Sequence, residues 1–181
     1  MISWDRIGRA VEFYKALGYK YVEAPWVVDE DCARVTHPNG ELSRSTHPPG
    51  VLVGSAEQAL LSLREDLSLP AGRIVACTPC FRAGEEGAYN LPYFMKVELW
   101  YWGPAGPKDA ELLRDARSFL EAEGASPREV KTPEGVDLYV GELEVGSYGV
   151  RNNKTHAWSY GTGVAEPRLS QAIALQKKET Q

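Results

Sequence analysis

The stretch Thr78–Glu98, TPCFRAGEEGAYNLPYFMKVE, decides the fold of this chain. It joins two runs rich in β-branched and aromatic residues, Arg73–Phe81 and Tyr93–Trp102, through a loop that contains glycine and proline. Such runs are typical of strands, so together they predict a long antiparallel hairpin. Phe94 and Glu98 are four positions apart, which places them on the same face of the returning strand.

The hairpin carries residue types that suit a nucleotide. Arg82 follows the first strand, so a cation, the aromatic face of Phe94 and the carboxylate of Glu98 would surround one hairpin. A guanidinium can hold a phosphate through two hydrogen bonds, and an aromatic ring offers a purine a stacking surface. The alternative is an ordinary surface hairpin with one core phenylalanine and scattered charges, and spacing alone does not decide between the two.

The rest of the chain alternates helical and strand patterns around this hairpin. Apolar residues at three- and four-residue spacing indicate amphipathic helices, and a further helix is expected to start near Glu166-Pro167. The helical patterns cover Ile7–Leu17, the run after the N-cap candidate Ser55, and Asp109–Glu123. Strands are predicted at Tyr19–Val28, Val51–Val53, Val136–Gly146 and Ser147–Asn152, and turns with at most one short hairpin at Asp29–Gly50. This order predicts an α+β fold with a mainly antiparallel sheet flanked by helices.

Composition and charge bound the class of protein. The chain has 181 residues, 43% hydrophobic and 25% charged, which predicts one globular domain over 1–181. Its formal charge of −5 does not favour DNA or general nucleic-acid binding, because that affinity rests on lysines and arginines that neutralise phosphates. Charges interrupt the N-terminus and no run of about 18 apolar residues occurs, so we expect neither a signal peptide nor a membrane span and assign the protein to the cytoplasm.

Two further segments carry candidate chemistry, each with an ordinary alternative. Gly161–Leu169 puts Arg168 in the first turn of a helix after glycines, which suits an anion, or it is simply a helix start with a solvated arginine. Glu142 and Glu144 could hold Mg²⁺ from one strand, or face solvent. Glu57 could receive a substrate ammonium group, or only support the N-terminus of its helix.

The three cysteines do not predict a metal site. Cys77 and Cys80 form a CxxC, but a strand directs their side chains to opposite faces, and no second CxxC or nearby histidine accompanies them. Cys32 is distant in sequence. The pattern favours buried or half-buried thiols, so zinc is not an expected cofactor.

Five segments resemble motifs of the catalytic core of class II aminoacyl-tRNA synthetases, closest to the seryl branch, and they occur along the chain in the same order as in that family. TPCFR followed by FMKVE in Thr78–Glu98 resembles motif 2, and FYKALGYKYVEAPWVV at Phe13–Val28 resembles motif 1. GSAEQAL at Gly54–Leu60 is similar to the T-x-E loop of the seryl and prolyl enzymes. LYVGELEVGSYG at Leu138–Gly149 resembles the strand that carries the ATP-side glutamate, and GTGVAEPRLSQAI at Gly161–Ile173 resembles motif 3.

The resemblance implies an ATP site with Mg²⁺. By position in the motifs, Arg82 would bind the α-phosphate, Phe94 would stack on adenine and Arg168 would bind the γ-phosphate. Glu144 would hold Mg²⁺ and phosphate. Glu85 is the nearest match to the glutamate of the motif 2 loop, one residue later than in the family.

The resemblance also implies an amino-acid site and a dimer. Glu57 and Glu98 would face the amino group of the substrate, and Ser147 would belong to the same amino-acid subsite. Members of this class are usually dimeric through motif 1, so a homodimer is expected.

The departures from the family concern the acceptor. Phe94 follows Arg82 by only twelve positions, and the loop between them has no Lys, Arg or His, whereas in the family this loop touches tRNA. Leu91-Pro92-Tyr93 stands where an Arg or His usually precedes the motif 2 Phe, and Pro167 precedes the motif 3 Arg. We also expect neither a coiled-coil arm before the core nor an anticodon-binding domain after it.

These features predict a stand-alone enzyme that adenylates an amino acid or similar small carboxylate. The acyl group would pass to a small molecule or a carrier protein rather than to tRNA. The alternative is a catalytically silent synthetase paralogue that binds a ligand or partner and regulates, since a fold does not guarantee a function. The presence of both Arg82 and Arg168 favours the enzyme.

Overall fold

A computed structural model of the chain describes residues 1–66, 69–83, 87, 89–153 and 156–179. Within these residues lie the helices α1 Trp4–Ala16, α2 Glu30–Thr36, α3 Ala56–Glu65, α4 Asp109–Ala122 and α5 Arg168–Glu179. The strands in the same ranges are β1 Lys20–Tyr21, β2 Val27–Val28, β3 Arg44–Thr46, β4 Pro49–Leu52, β5 Gly72–Phe81, β6 Tyr93–Trp102, β7 Arg128–Thr132, β8 Gly135–Val140, β9 Leu143–Asn152 and β10 Ala157–Glu166. Among these helices, none combines the length and the apolar character that crossing a membrane requires.

The main sheet has seven strands in the order β1-β5-β6-β10-β9-β8-β7. Only β1 and β5 run parallel, and every other neighbouring pair is antiparallel. A separate three-stranded sheet has the order β2-β4-β3. The predicted α+β architecture with a mainly antiparallel sheet is therefore confirmed.

The hairpin β5–β6 provides the second and third strands of the main sheet. Its ten residue pairs run without interruption from Gly72 opposite Trp102 to Phe81 opposite Tyr93. One further hydrogen bond, from the amide of Arg82 to the carbonyl of Pro92 (2.9 Å), continues the pairing past the strands. The hairpin predicted from the sequence is confirmed, and Arg82 stands at its loop end.

Each face of the main sheet packs against its own hydrophobic cluster. Alternate residues of β6 point to opposite faces, so Leu99 joins the cluster under α1, α4 and α5, and Trp100 joins the cluster under α3. Helix α1 lies close to β10, where the Tyr14 hydroxyl donates to the Gly163 carbonyl at 2.9 Å. A Cβ at position 163 would come within 2.8 Å of the Tyr14 ring, so this approach requires glycine.

Three local predictions were wrong. Within Asp29–Gly50, where turns were expected, Glu30–Thr36 forms α2, which at seven residues is too short to show helical periodicity. The predicted strand Tyr19–Val28 is two short strands, β1 and β2, on either side of Pro25, which has no amide to donate. The strands predicted at Val136–Gly146 and Ser147–Asn152 are β8 and β9, which divide at Gly141-Glu142; Glu142 therefore lies in the turn and does not share a strand face with Glu144.

Candidate active site

Two adjoining cavities open at the end of the β5–β6 hairpin. Arg82, Lys96 and Ser147 line both of them. The first, here the hairpin cavity, has an empty volume of about 700 Å³, and its wall includes Phe94, Glu144 and Arg168. The second, here the α3 cavity, has an empty volume of about 920 Å³, and its wall includes Ser55, Glu57, Gln58, Arg151 and Tyr160.

An aromatic ring and a guanidinium lie together in the hairpin cavity. Phe94 is half-buried near the start of β6, and the guanidinium carbon of Arg82 lies 5.2 Å from the centre of its ring. This distance lies within the range of cation–π contacts, so the ring also orients the guanidinium. Arg82 itself is exposed, and its charge faces both cavities.

Arg168 is the first residue of α5 and lies on the opposite wall of the hairpin cavity. Its guanidinium donates to the carbonyl of Tyr89 (3.1 Å) and to the side-chain oxygen of Asn90, both in the β5–β6 loop. It also reaches the carbonyl of Glu144 at 3.5 Å. Arg168 thereby ties the hairpin loop to the remainder of the cavity wall. Glu85, the loop glutamate named from the sequence, lies outside the described residues.

The Glu144 carboxylate projects from β9 into the hairpin cavity. Burial raises the pKa of this carboxyl above its usual value, and the nearby carboxylate of Asp137 raises it further, while Arg168 opposes the shift. Two carboxylates that repel each other in a partly buried place suit a cation. In the described parts of the chain, no three His, Cys, Asp or Glu side chains converge to hold a metal on their own.

The α3 cavity contains a buried carboxylate with two internal partners. Glu57, in the first turn of α3, is only 2% exposed. One carboxylate oxygen accepts from the indole nitrogen of Trp158 at 2.7 Å, and the other accepts a short hydrogen bond from Arg151. Burial raises the pKa of Glu57, and the charge of Arg151 counteracts that rise.

Glu98 is enclosed beneath the two cavities and is fully buried. Its carboxylate accepts from the Ser55 hydroxyl at 2.6 Å and forms an ion pair with the Lys96 ammonium at 2.9 Å. Lys96 lines both cavities, whereas Glu98 is on the wall of neither. Lys96 therefore stands between Glu98 and any substrate in these cavities, where the sequence predicted a direct contact with Glu98. Ser55 caps α3 as predicted, accepting from the amide of Glu57.

Sequence reasoning missed Lys96 and Arg151, although the signal was present. Lys96 stands midway between Phe94 and Glu98, and every second residue of a strand shares one face. Arg151 follows Ser147 by four positions on β9 and therefore shares its face in the same way. Both cations could have been assigned to the site from alternation alone.

The surroundings of Cys77 and Cys80 favour a structural role for both residues. Burial raises the pKa of the Cys77 thiol to about 11 and that of Cys80 to about 12. Cys77 packs at the edge of the cluster under α1. Both thiols are therefore protonated at neutral pH, and neither is an activated nucleophile.

Comparison with solved structures identifies the fold. Two pyrrolysyl-tRNA synthetase structures from Desulfitobacterium hafniense match with TM-scores of 0.70 and 0.68 at 20% and 19% identity, covering 92% and 96% of this chain. A cytoplasmic serine–tRNA ligase from Naegleria fowleri in complex with AMP matches with a TM-score of 0.72 at 14% identity, covering 93%. The chain spans 65%, 69% and 47% of these proteins, or about half to two thirds of their length.

The chain therefore has the fold of a class II aminoacyl-tRNA synthetase catalytic core, and the resemblance inferred from the sequence is confirmed at the level of fold. No family model matches the sequence, and a search of curated proteins finds no match.

Proposed function

We propose that this protein uses ATP to adenylate a small carboxylate, an amino acid or a similar acid. The observation that carries the proposal is the pair of adjoining cavities, one with Arg82, Phe94, Glu144 and Arg168 on its wall, the other polar. In the reaction, a carboxylate oxygen attacks the α-phosphorus and the bond to the bridging oxygen of the β-phosphate breaks. The products are an acyl adenylate and pyrophosphate.

The hairpin cavity is the proposed ATP site. Adenine would stack on Phe94, the α-phosphate would meet Arg82 and the γ-phosphate would meet Arg168. Glu144, with Asp137 beside it, would hold Mg²⁺, which neutralises phosphate charge when bound. Burial first, and then the neighbouring carboxylate of Asp137, raise the pKa of Glu144, and a bound cation would offset both effects. The AMP in the seryl enzyme of similar fold also supports a nucleotide here.

The junction of the two cavities is the proposed place of reaction. Arg82 and Lys96 both line this junction, and Lys96 is held by Glu98 at 2.9 Å. Fixed cations at the place where negative charge accumulates stabilise a transition state without reorganising during the reaction. The protein would therefore act by positioning the carboxylate and the phosphate together.

We propose a small molecule or a carrier protein as the acyl acceptor. The loop between Arg82 and Phe94 contains no Lys, Arg or His, and the chain carries a formal charge of −5. Both features disfavour an RNA backbone close to the site.

Hydroxylamine trapping tests the proposal. Purified protein, ATP, Mg²⁺ and one carboxylic acid at a time are incubated with hydroxylamine, and the hydroxamate and AMP are quantified. Formation of both in equal amounts with one acid, and not without ATP, is the expected result. Folded protein that binds ATP but forms no hydroxamate with any acid would instead support a silent module.

One observation favours that silent module as the second candidate. The donors of Arg168 are engaged by Tyr89 and Asn90 of the hairpin loop, so a phosphate would have to compete with the chain itself. A module that binds a nucleotide without turnover would bind ATP in calorimetry and give no product in the trapping assay.

Replacing Phe94 with alanine is expected to raise KM for ATP about tenfold with little change in kcat. The ring would contribute stacking on adenine, worth roughly 1–3 kcal/mol per base, and 1.4 kcal/mol corresponds to tenfold in affinity. Steady-state kinetics of adenylation measure both constants. Phe94→Tyr is the control that keeps the ring, and an alanine variant with an unchanged KM for ATP would contradict the assignment.

We propose that the protein forms a homodimer through the segment around α1 and β1. Four large apolar side chains of this region are exposed: Trp4, Leu17, Tyr21 and Trp26. The exposure of these large apolar side chains to water is unfavourable, and burial against a second copy of the chain would remove it.

Sedimentation velocity is expected to give a dimer for the native chain and a monomer for Trp26→Glu, because a buried unpaired carboxylate opposes association. Val150→Glu, which places the same charge on β9, is the control that should remain dimeric. A native chain that sediments as a monomer at micromolar concentration would contradict this proposal.

A further inference from the structure

We propose that the α3 cavity selects a carboxylic acid that has no free ammonium group beside its carboxyl, such as a 2-hydroxy acid or an N-acylated amino acid. The proposal rests on the adenylation proposed above and narrows its substrate. It follows from the way in which the chain's own cations occupy the two carboxylates expected to receive an ammonium group, Glu57 and Glu98.

Glu57 is engaged on both oxygens. Trp158 donates to one oxygen at 2.7 Å, and Arg151 donates to the other through a short ion pair. The guanidinium of Arg151 is itself fixed, since its central carbon lies 4.1 Å from the centre of the Tyr160 ring. A substrate ammonium group would therefore approach Glu57 only beside a cation that is held in place.

Glu98 is withdrawn behind a second cation. Its side chain has no exposed surface, and its carboxylate binds the Lys96 ammonium at 2.9 Å and the Ser55 hydroxyl at 2.6 Å. The charge that faces the cavities at this position is thus positive. A ligand that enters the junction meets the lysine and not the glutamate.

The charges on the wall of the α3 cavity are largely balanced by one another. Within the described residues, the arginines and lysine on this wall are Arg82, Lys96 and Arg151, and the carboxylates are Glu41 and Glu57. Glu41 is exposed to solvent, and Glu57 is already paired with Arg151. Arg151 is paired with Glu57 and Lys96 with Glu98, so the two carboxylates expected to receive an ammonium group are already balanced by fixed cations. An ammonium group that leaves water therefore gains little from either of them, whereas Arg82 and Lys96 stand on the wall where a substrate carboxylate can meet them.

The remaining polar groups suit a neutral substituent. Hydroxyl-bearing side chains line the α3 cavity: Thr36, Ser43, Ser55, Ser147 and Tyr160. A neutral hydroxyl or amide substituent can pair with these side chains without a counter-charge, whereas an ammonium group, which can also donate to them, loses hydration that an anionic partner has to offset. A 2-hydroxyl or an N-acyl amide therefore suits this wall better than an ammonium group.

The test is pyrophosphate exchange on matched pairs of acids. Each pair shares its carbon skeleton and differs at one position: alanine with lactate, serine with glycerate, aspartate with malate, and each amino acid with its N-acetyl form. We expect exchange with a hydroxy or N-acyl acid at a kcat/KM roughly 100-fold or more above that of its amino acid, a discrimination that unpaired polar groups in a site can supply.

The possible outcomes separate this inference from the function on which it rests. Exchange that prefers an amino acid over its hydroxy and N-acyl partners would overturn the inference and leave adenylation intact. Folded protein that exchanges with no acid of any kind would overturn the proposed adenylation itself.

The variant Arg151→Gln tests whether the Arg151–Glu57 ion pair causes this preference for an acid without an ammonium group. Removal of the guanidinium frees Glu57, so the preference is expected to shift toward the amino acid of each pair by about tenfold or more, as expected for the removal of one repulsive charge from a site. Arg128→Gln, an exposed arginine on β7 outside both cavities, is the control and should leave the ratio unchanged. A folded Arg151→Gln protein with an unshifted ratio would overturn the role given to the charge pair, and circular dichroism establishes that both variants fold.

Discussion

Replacing Arg82 with alanine is expected to lower kcat/KM for carboxylate-dependent adenylation about 10²- to 10³-fold, the usual cost of removing one preorganised donor from a charged transition state. The guanidinium stands at the loop end of the β5–β6 hairpin and lines both cavities, so it is positioned to contact a phosphate where the carboxylate attacks. The loss should fall mainly on kcat if the contact forms chiefly in the transition state.

Arg82→Lys and Arg128→Ala are the matched variants for this experiment. The lysine keeps the charge but not the two-pronged geometry, so we expect it to recover only part of the activity. Arg128, on the exposed strand β7, should be replaceable without effect. If the Arg82→Ala protein has native kinetics, Arg82 does not contact a phosphate in the reaction.

Replacing Arg6 with methionine is expected to lower the free energy of unfolding by about 3–5 kcal/mol, the typical cost of breaking a buried ion pair from one side. Arg6 of α1 binds the fully buried Glu166 carboxylate at 2.6 Å. Methionine keeps most of the apolar stem but leaves Glu166 with the hydroxyl of Ser170 (2.7 Å) and no cation. Chemical denaturation measures the difference.

Arg9→Met is the matched control because Arg9 binds Glu123, a carboxylate that Arg6 also binds, but does not contact Glu166. Its side chain is 55% exposed, so its loss should be much smaller than that of Arg6. Equal losses for the two variants would show that the buried charge of Glu166 is not what makes Arg6 important.

Much of the fold could be predicted because its signals are local. The β5–β6 hairpin follows from two β-rich runs and one loop, and the Ser55 cap follows from a serine just before an apolar-periodic run. Helix α2 could not be predicted in this way. Its stability comes from the burial of Cys32 and Ala33 in the cluster under α3, which is a tertiary contact.

In the candidate site, too, the features with local sequence signals could be predicted and those that depend on tertiary contacts could not. Strand alternation and motif order named Arg82, Phe94, Glu144 and Arg168, and these four residues line one cavity in the structure. The partners of Glu57 could not be foreseen, since Arg151 and Trp158 lie 94 and 101 positions away. Which charge faces a cavity depends on such long-range pairs, and a motif contains only one member of each.

The most direct test of the central claim is exchange of radiolabelled pyrophosphate into ATP in the presence of single carboxylic acids. We expect exchange to require one particular acid. We also expect Arg82→Ala to reduce the exchange at least about 100-fold. Exchange that proceeds equally without any acid, or none from folded protein that binds ATP, would contradict it.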